Sequence, residues 1–305
     1  MFRQDCLPGH CPAYLKGGIT IKVSVAAVSV KIVEGPGNEE INMSKASDYL
    51  DIAKSKGAQI VCFPETYPGP WRMPFNDFSP HAAMSDMAKQ KDLYIIYGLA
   101  ERVNPNSDAQ HYVTECLVAP DGKLVGKYNR CCPRGPWIYK GGNFWDINYK
   151  EGNELPVFDT DIGKIGMLVC SEVYVPELSR CMAIQGAHIT FLPSGIKKGH
   201  QEELYDSWKL LIQARAMENL MYTVTCQNIR REERGLTMIC SPEKTLQCSE
   251  EEGVVVDVVD LDRVNEIRAA TDLYGSPTNY GTKAGTLREW RRPKLYGDIL
   301  CNLVE

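Results

Sequence analysis

The chain has 305 residues, 44% of them hydrophobic and 24% charged, which is enough to bury a large core within a single domain. Its formal net charge of -5 removes the electrostatic case for nucleic acid or an anionic membrane surface as a partner. No run of about eighteen apolar residues and no signal-peptide pattern is present, so a cytoplasmic protein away from membranes is expected.

Residues 1–17 are polar and Pro/Gly-rich and read as an extension outside the core. Cys6, His10 and Cys11 lie on this arm, but three ligands fall short of the four a structural zinc needs, so no metal is expected. The twelve cysteines are spread along the chain, and Cys62, Cys170 and Cys226 sit inside apolar strand patterns, where a reducing compartment leaves them as thiols. Ile19 to Val30 alternates and is β-branched, which predicts a strand. Glu39 to Ser55 aligns Ile41, Ala46, Tyr49, Leu50 and Ala53 on one helical stripe that Gly57 ends. Gln59 to Phe63 is a buried strand running into Pro64-Glu65 and the loop TYPGPW. A carboxylate at an apolar strand end, held between prolines, has the fixed direction and restricted solvation a general base needs.

A helix near His81 to Lys91 and a strand at Leu93 to Val103 follow, then a hairpin of His111 to Ala119 and Lys123 to Arg130 about the turn Pro120-Asp121-Gly122. Past Cys131 some twenty residues show no period, and structureless segments of that length are commonly functional loops. Val157 to Asp159 and Lys164 to Val169 pair around Gly163, and Cys170 ends the second strand. Ser171 and Glu172 come next, and Pro176-Glu177 opens an amphipathic helix that stops at Gly186, so Cys170 occupies a strand-to-helix corner of the kind that presents a nucleophile. His188 to Leu192 is a strand ending in Pro193-Ser194-Gly195, His200 to Leu220 is the longest helix, and Met221 to Gln227 is a strand. Strands at Leu236 to Cys240 and Gly253 to Asp260 and a helix at Leu261 to Ala270 complete the pattern. Thr271 to Glu305 shows no period and suits a tail lying on its own chain or on a partner subunit.

With these landmarks in order, FPET at Phe63 to Thr66, GKYNR at Gly126 to Arg130, LVCSEVYVPELSR at Leu168 to Arg180, LPSG at Leu192 to Gly195, ARAMENLMYTV at Ala214 to Val224 and EEGVVVDVVDLDRV at Glu251 to Val264, the chain resembles the nitrilase superfamily of carbon–nitrogen hydrolases. The resemblance covers roughly residues 19–270 and implies an α/β fold, the four-layer αββα sandwich, with a catalytic domain at 18–272. It implies a homodimer or higher homo-oligomer in which the tail, 273–305, lies at the subunit interface. It also implies a Glu–Lys–Cys site working without metal or organic cofactor, with Cys170 as nucleophile and Glu65 as base.

At the cation this chain departs from the family, reading GKYNR where members usually read GKYRK, so Arg130 stands at the lysine position. Strand alternation places Tyr128 and Arg130 on one face and Lys127 on the other, and an arginine supplies charge and a donor fork but no proton transfer. The second carboxylate that many members carry about seven residues later is absent. Trp137 stands near that place, and Glu151 and Glu172 are the carboxylates that stay open as replacements. Trp137, Glu172, Tyr174, Tyr67 and Ser194 are the expected substrate contacts. The function expected is thiol-dependent hydrolysis of a small amide, N-carbamoyl compound or nitrile through an acyl-Cys170 intermediate. Two alternatives stand beside it: the same fold with Arg130 clamping a substrate carboxylate or the acyl group passed to an acceptor other than water, and an inactive scaffold or ligand-binding homologue.

Overall fold

Alternation along the first strand already sorts the molecule into layers. Val23, Val25 and Ala27 join one buried cluster, and Ala26, Val28 and Val30 join a second one on the opposite face. The computed structural model describes residues 21–35, 37–69, 77–132, 149–195, 201–230, 233–271 and 280–302. The expected extension at 1–17 and Trp137 lie outside the described residues.

In chain order the first half runs β1 (Lys22–Lys31), α1 (Glu39–Ser55), β2 (Ile60–Cys62), α2 (His81–Lys91), β3 (Tyr94–Asn104), β4 (Ser107–Val118) and β5 (Leu124–Asn129). The second runs β6 (Val157–Thr160), β7 (Gly163–Met167), α3 (Pro176–Ile184), β8 (Ile189–Ser194), α4 (Gln201–Asn219), β9 (Tyr222–Ile229), β10 (Thr237–Cys240) and β11 (Thr245–Ser249). Then come β12 (Gly253–Asp260), α5 (Leu261–Ala269), α6 (Tyr280–Gly285) and α7 (Pro293–Asn302). Each half is built alike. β1, β2 and β3 are parallel, with α1 and α2 as crossovers, and β7, β8 and β9 are parallel, with α3 and α4 as crossovers. Antiparallel neighbours close the edges: β12, β4 and β5 on one sheet, and β6, β10 and β11 on the other. A short parallel contact of Val30 and Lys31 with Asn228 and Ile229 joins the sheets at the ends of β1 and β9.

The layers follow from burial. Met43, Ala46, Leu50 and Ala53 of α1, with Met84 and Ala88 of α2, cover the outer face of the first sheet against Val61, Phe63, Ile95 and Tyr97. The larger cluster combines inward residues of both sheets, among them Ile60, Cys62, Ile96, Ile165, Phe191, Val224 and Ile239, with side chains of α3, α4 and α5. This is the α/β nitrilase-like sandwich, with helices outside two facing sheets.

The tail differs from its aperiodic reading, since α6 and α7 are helical. Ala284 and Leu287 are buried in the main core, and the Arg263 guanidinium sits 5.2 Å from the Tyr280 ring centroid. The segment from 280 to 287 therefore lies on its own chain. The six residues of α6, YGTKAG, carry too few turns to show a period, and the ten of α7, PKLYGDILCN, make fewer than three. The polar strand β11, TLQCS, was hidden for the same reason. Among the described residues, no helix is long and apolar enough to cross a membrane.

Candidate active site

β7 stops at Met167, and Val169 continues extended to Cys170, whose φ of 49° is left-handed. A non-glycine residue seldom adopts that conformation without being held there. Cys170–Tyr174 then forms a 3-10 turn, and Pro176 opens α3 at its first position. The hold comes from Glu172, which is fully buried: its Oε1 accepts from Tyr128 Oη at 2.7 Å, Cys131 N at 2.8 Å and Cys132 N at 2.9 Å, and its Oε2 accepts from Val169 N at 2.7 Å. Burial pushes this carboxyl up, while the Arg130 charge and these donors pull it back. Glu172 thus ties β5 to the turn carrying Cys170. Both of its oxygens are engaged in that work, which sets it apart from the substrate contact expected of it.

Glu65 comes from the carboxyl end of β2, where Phe63 and Pro64 carry the chain out of the sheet. Its main-chain oxygen accepts from Asn228 Nδ2 at 2.6 Å, so the end of β9 fixes the loop. Arg130 Nη1 donates to Glu65 Oε1 at 3.0 Å, and Arg130 Nη2 donates to Ser171 Oγ. The other Glu65 oxygen faces Gly195, where a Cβ would lie only 3.0 Å from Oε2. A side chain at this position would crowd the carboxylate, so glycine keeps the approach open.

The Cys170 thiol lies within hydrogen-bonding reach of Glu65 and of the Gly195 backbone N–H. Burial and the Glu65 charge push it up to about 12, against the pull of Arg130 and the Gly195 N–H. At neutral pH it is therefore a thiol, with Glu65 beside it. Cys170, Glu65 and Arg130, anticipated from sequence, are brought together. Lys127 points to the other face of β5, where its Nζ donates to Glu101 Oε1 at 2.5 Å, as strand alternation requires.

The remaining expected contacts are arranged differently. Tyr67 is buried in the cluster under α1, stacked on Phe63 at 5.4 Å with its hydroxyl donating to Asn42 O at 2.5 Å. Ser194 turns back to Leu192 O at 3.2 Å within its own strand. Tyr174 is 46% exposed and meets Trp208 edge-on at 5.5 Å. Ser171, Asn228 and Glu115 were not anticipated. Glu115 had a signal, a carboxylate at an inward position of an apolar alternating strand between Val113 and Leu117.

The profile of the carbon–nitrogen hydrolase family matches residues 24–269. The chain is 26% identical over 259 residues to the deaminated glutathione amidase of Synechocystis, covering 79% of this chain and 94% of that one. It is 25% identical over 311 residues to the N-carbamoylputrescine amidase of Solanum lycopersicum, covering 91% and 95%. Among solved structures, a mutant of the amidase from Nesterenkonia sp. AN1, bearing the acetamide moiety of fluoroacetamide on its active-site cysteine, superposes with a TM-score of 0.70 at 17% identity, covering 92% of this chain and 97% of that one.

Proposed function

Because the chain belongs to the carbon–nitrogen hydrolase family and is an enzyme of the amidase and nitrilase type, we propose that it hydrolyses an amide or N-carbamoyl compound through an acyl-Cys170 thioester, with Glu65 as general base. The observation that carries this reading is the placement of the Cys170 thiol beside Glu65, with Arg130 bonded to that same carboxylate. A thiol pushed up to about 12 is a weak nucleophile until a base removes its proton as it attacks, and Glu65 is in place to do so.

The sulfur adds to the carbonyl carbon while its proton passes to Glu65, and Arg130 offers positive charge near the developing oxyanion. Glu65 returns the proton to the departing nitrogen as the C–N bond breaks, leaving the thioester and free ammonia or amine. Water then gives a proton to Glu65 and adds to the thioester carbon. Collapse releases the acid, and the sulfur regains its proton. The amidase names of the relatives favour an amide or carbamoyl nitrogen over a nitrile.

Ammonia release is measured on a panel of propionamide, succinamic acid, N-carbamoylputrescine and propionitrile, with intact mass read after quenching. An acyl adduct on Cys170 is expected with an amide or carbamoyl compound. Cys170→Ala abolishes turnover, and Glu65→Gln keeps the fold but loses acylation, since its amide cannot take the thiol proton. Wild-type ammonia release from Cys170→Ala overturns the assignment.

A further inference from the structure

The Glu65 loop rests on a carboxyl group that this mechanism does not use. Glu115 sits on the inner face of β4, across from Gly98 of β3 on one side and Tyr128 of β5 on the other, with no exposed surface. Gly98 makes its room: a Cβ there would lie 2.6 and 2.9 Å from the two carboxyl oxygens and 2.5 Å from Thr66 N. The carboxyl is thus enclosed between bare backbone of Gly98 and the residue that follows Glu65. Thr66 has a left-handed φ of 51°, and the loop above is pinned to β3 by Gly98 N donating to Tyr67 O at 3.0 Å. The Thr66 N–H is the main-chain donor that reaches Glu115, loosely, since neither oxygen has an aligned hydrogen bond among the described residues.

Burying a carboxyl so sparsely partnered costs stability that an apolar side chain of the same size would not. Its place in the fold is therefore not accounted for by packing. We propose that Glu115 is a positioning residue for the base: its carboxyl faces the Thr66 N–H, its nearest main-chain donor, and supports the left-handed turn that aims Glu65 at Cys170 and Arg130. The inference rests on the reading of Glu65 as general base.

The charges around it agree with this role. Glu65 from the β2 end, Arg130 from β5, Cys226 from β9, Cys62 from β2 and Cys116 from β4 itself face or adjoin it. Burial and then Glu65 push the Glu115 carboxyl well up, against the Thr66 N–H and Arg130. A carboxyl accepts a hydrogen bond in either protonation state.

The test compares Glu115→Gln, which keeps a neutral acceptor, with Glu115→Met, which keeps the length and volume but has none. Both are read by kcat and KM for ammonia release on the panel amide that the wild type turns over. A second reading is the rate of Cys170 alkylation by iodoacetamide, followed on the peptide that carries it. The Met variant is expected to stay folded, with a thermal midpoint close to wild type. Its kcat should fall by on the order of 30- to 100-fold from misdirection of the base, with KM within about threefold. Alkylation slows in Glu115→Met as it does in Glu65→Gln, and Glu115→Gln restores both rates to within about threefold of wild type. Wild-type kcat in Glu115→Met, or equal losses in the Gln and Met variants, overturns the inference. Cys170→Ala is run alongside: if it still releases ammonia the base reading itself falls, whereas an inactive Cys170→Ala beside a fully active Glu115→Met sinks this inference alone.

Discussion

Arg130 joins the two halves of the candidate site at the residue scale. Its guanidinium is 7% exposed, and its two Nη atoms point to different partners, Glu65 and Ser171. A substrate carboxylate clamp needs the two-point fork that this arrangement spends on holding the base and the turn. The geometry supports a cation that orients Glu65. Lysine at this position keeps the charge and one donor to Glu65 but gives up the bond to Ser171. Losing one charge-assisted hydrogen bond costs about 1.5 kcal/mol, so Arg130→Lys is expected to retain about a tenth of wild-type kcat/KM on the panel substrate. Arg130→Met, which removes the charge, should lose several orders more. If Arg130→Lys were as inactive as Arg130→Met, and an analogue without a carboxylate were not processed, the clamp would be the better account.

Much of this arrangement was legible from strand ends. Glu65 and Cys170 each terminate a short apolar run, and a polar residue at the end of a buried strand has few directions open to it. Lys127 and Arg130 were separable because a strand alternates, and the β5 partners confirm the separation. What stayed hidden was pairing: Asn228 reaches Glu65 from 163 residues away, and Gly98 opposes Glu115 across β3 and β4, relations that depend on register and sheet order. The outer face of the β3–β5 hairpin offers its own test. There burial would raise the Glu101 carboxyl, but hydrogen bonds from His81 and Lys127 hold it down at about 2. A folded value below the unfolded one of about 4.3 gives stability that is complete above that pH and is lost as pH falls toward 2. Discounted for partial exposure, Glu101→Gln should cost on the order of 1–2 kcal/mol at pH 7, with the gap to wild type closing between about pH 4 and pH 2. Urea midpoints of both proteins across that range decide it, and a gap that does not change with pH would remove the ion pair from the account.

At the scale of the whole molecule, the outer surface of the second sheet's helices is only partly covered by the chain itself. Met182 of α3 is fully buried and Leu178 is partly so, which takes up one side of that helix. Its other side shows Ile184 at 39% exposure, and α4, which packs on α3, shows Leu210 at 71% and Met217 at 39% on one stripe seven residues apart. Arg180 of α3 reaches Thr286 at 3.5 Å, so the tail begins beside this surface, and Trp290, Leu295 and Tyr296 farther along it are also exposed. Apolar side chains grouped over two helices and a tail form the kind of patch that monomers seldom leave open, and a two-fold axis through it would bury the same patch on both subunits. A dimer is therefore expected, with α3 and α4 meeting their symmetry mates and the tail running along the seam. Leu210→Glu places a charge at the most exposed of these positions. At the centre of an interface such a change costs about 2 kcal/mol or more, weakening association at least about 30-fold. Light scattering at micromolar concentration should give a dimer for wild type and a shift toward monomer for Leu210→Glu, with circular dichroism unchanged because Leu210 contributes little to its own core. A wild-type monomer, or a variant that stays as dimeric as wild type, would move the interface elsewhere.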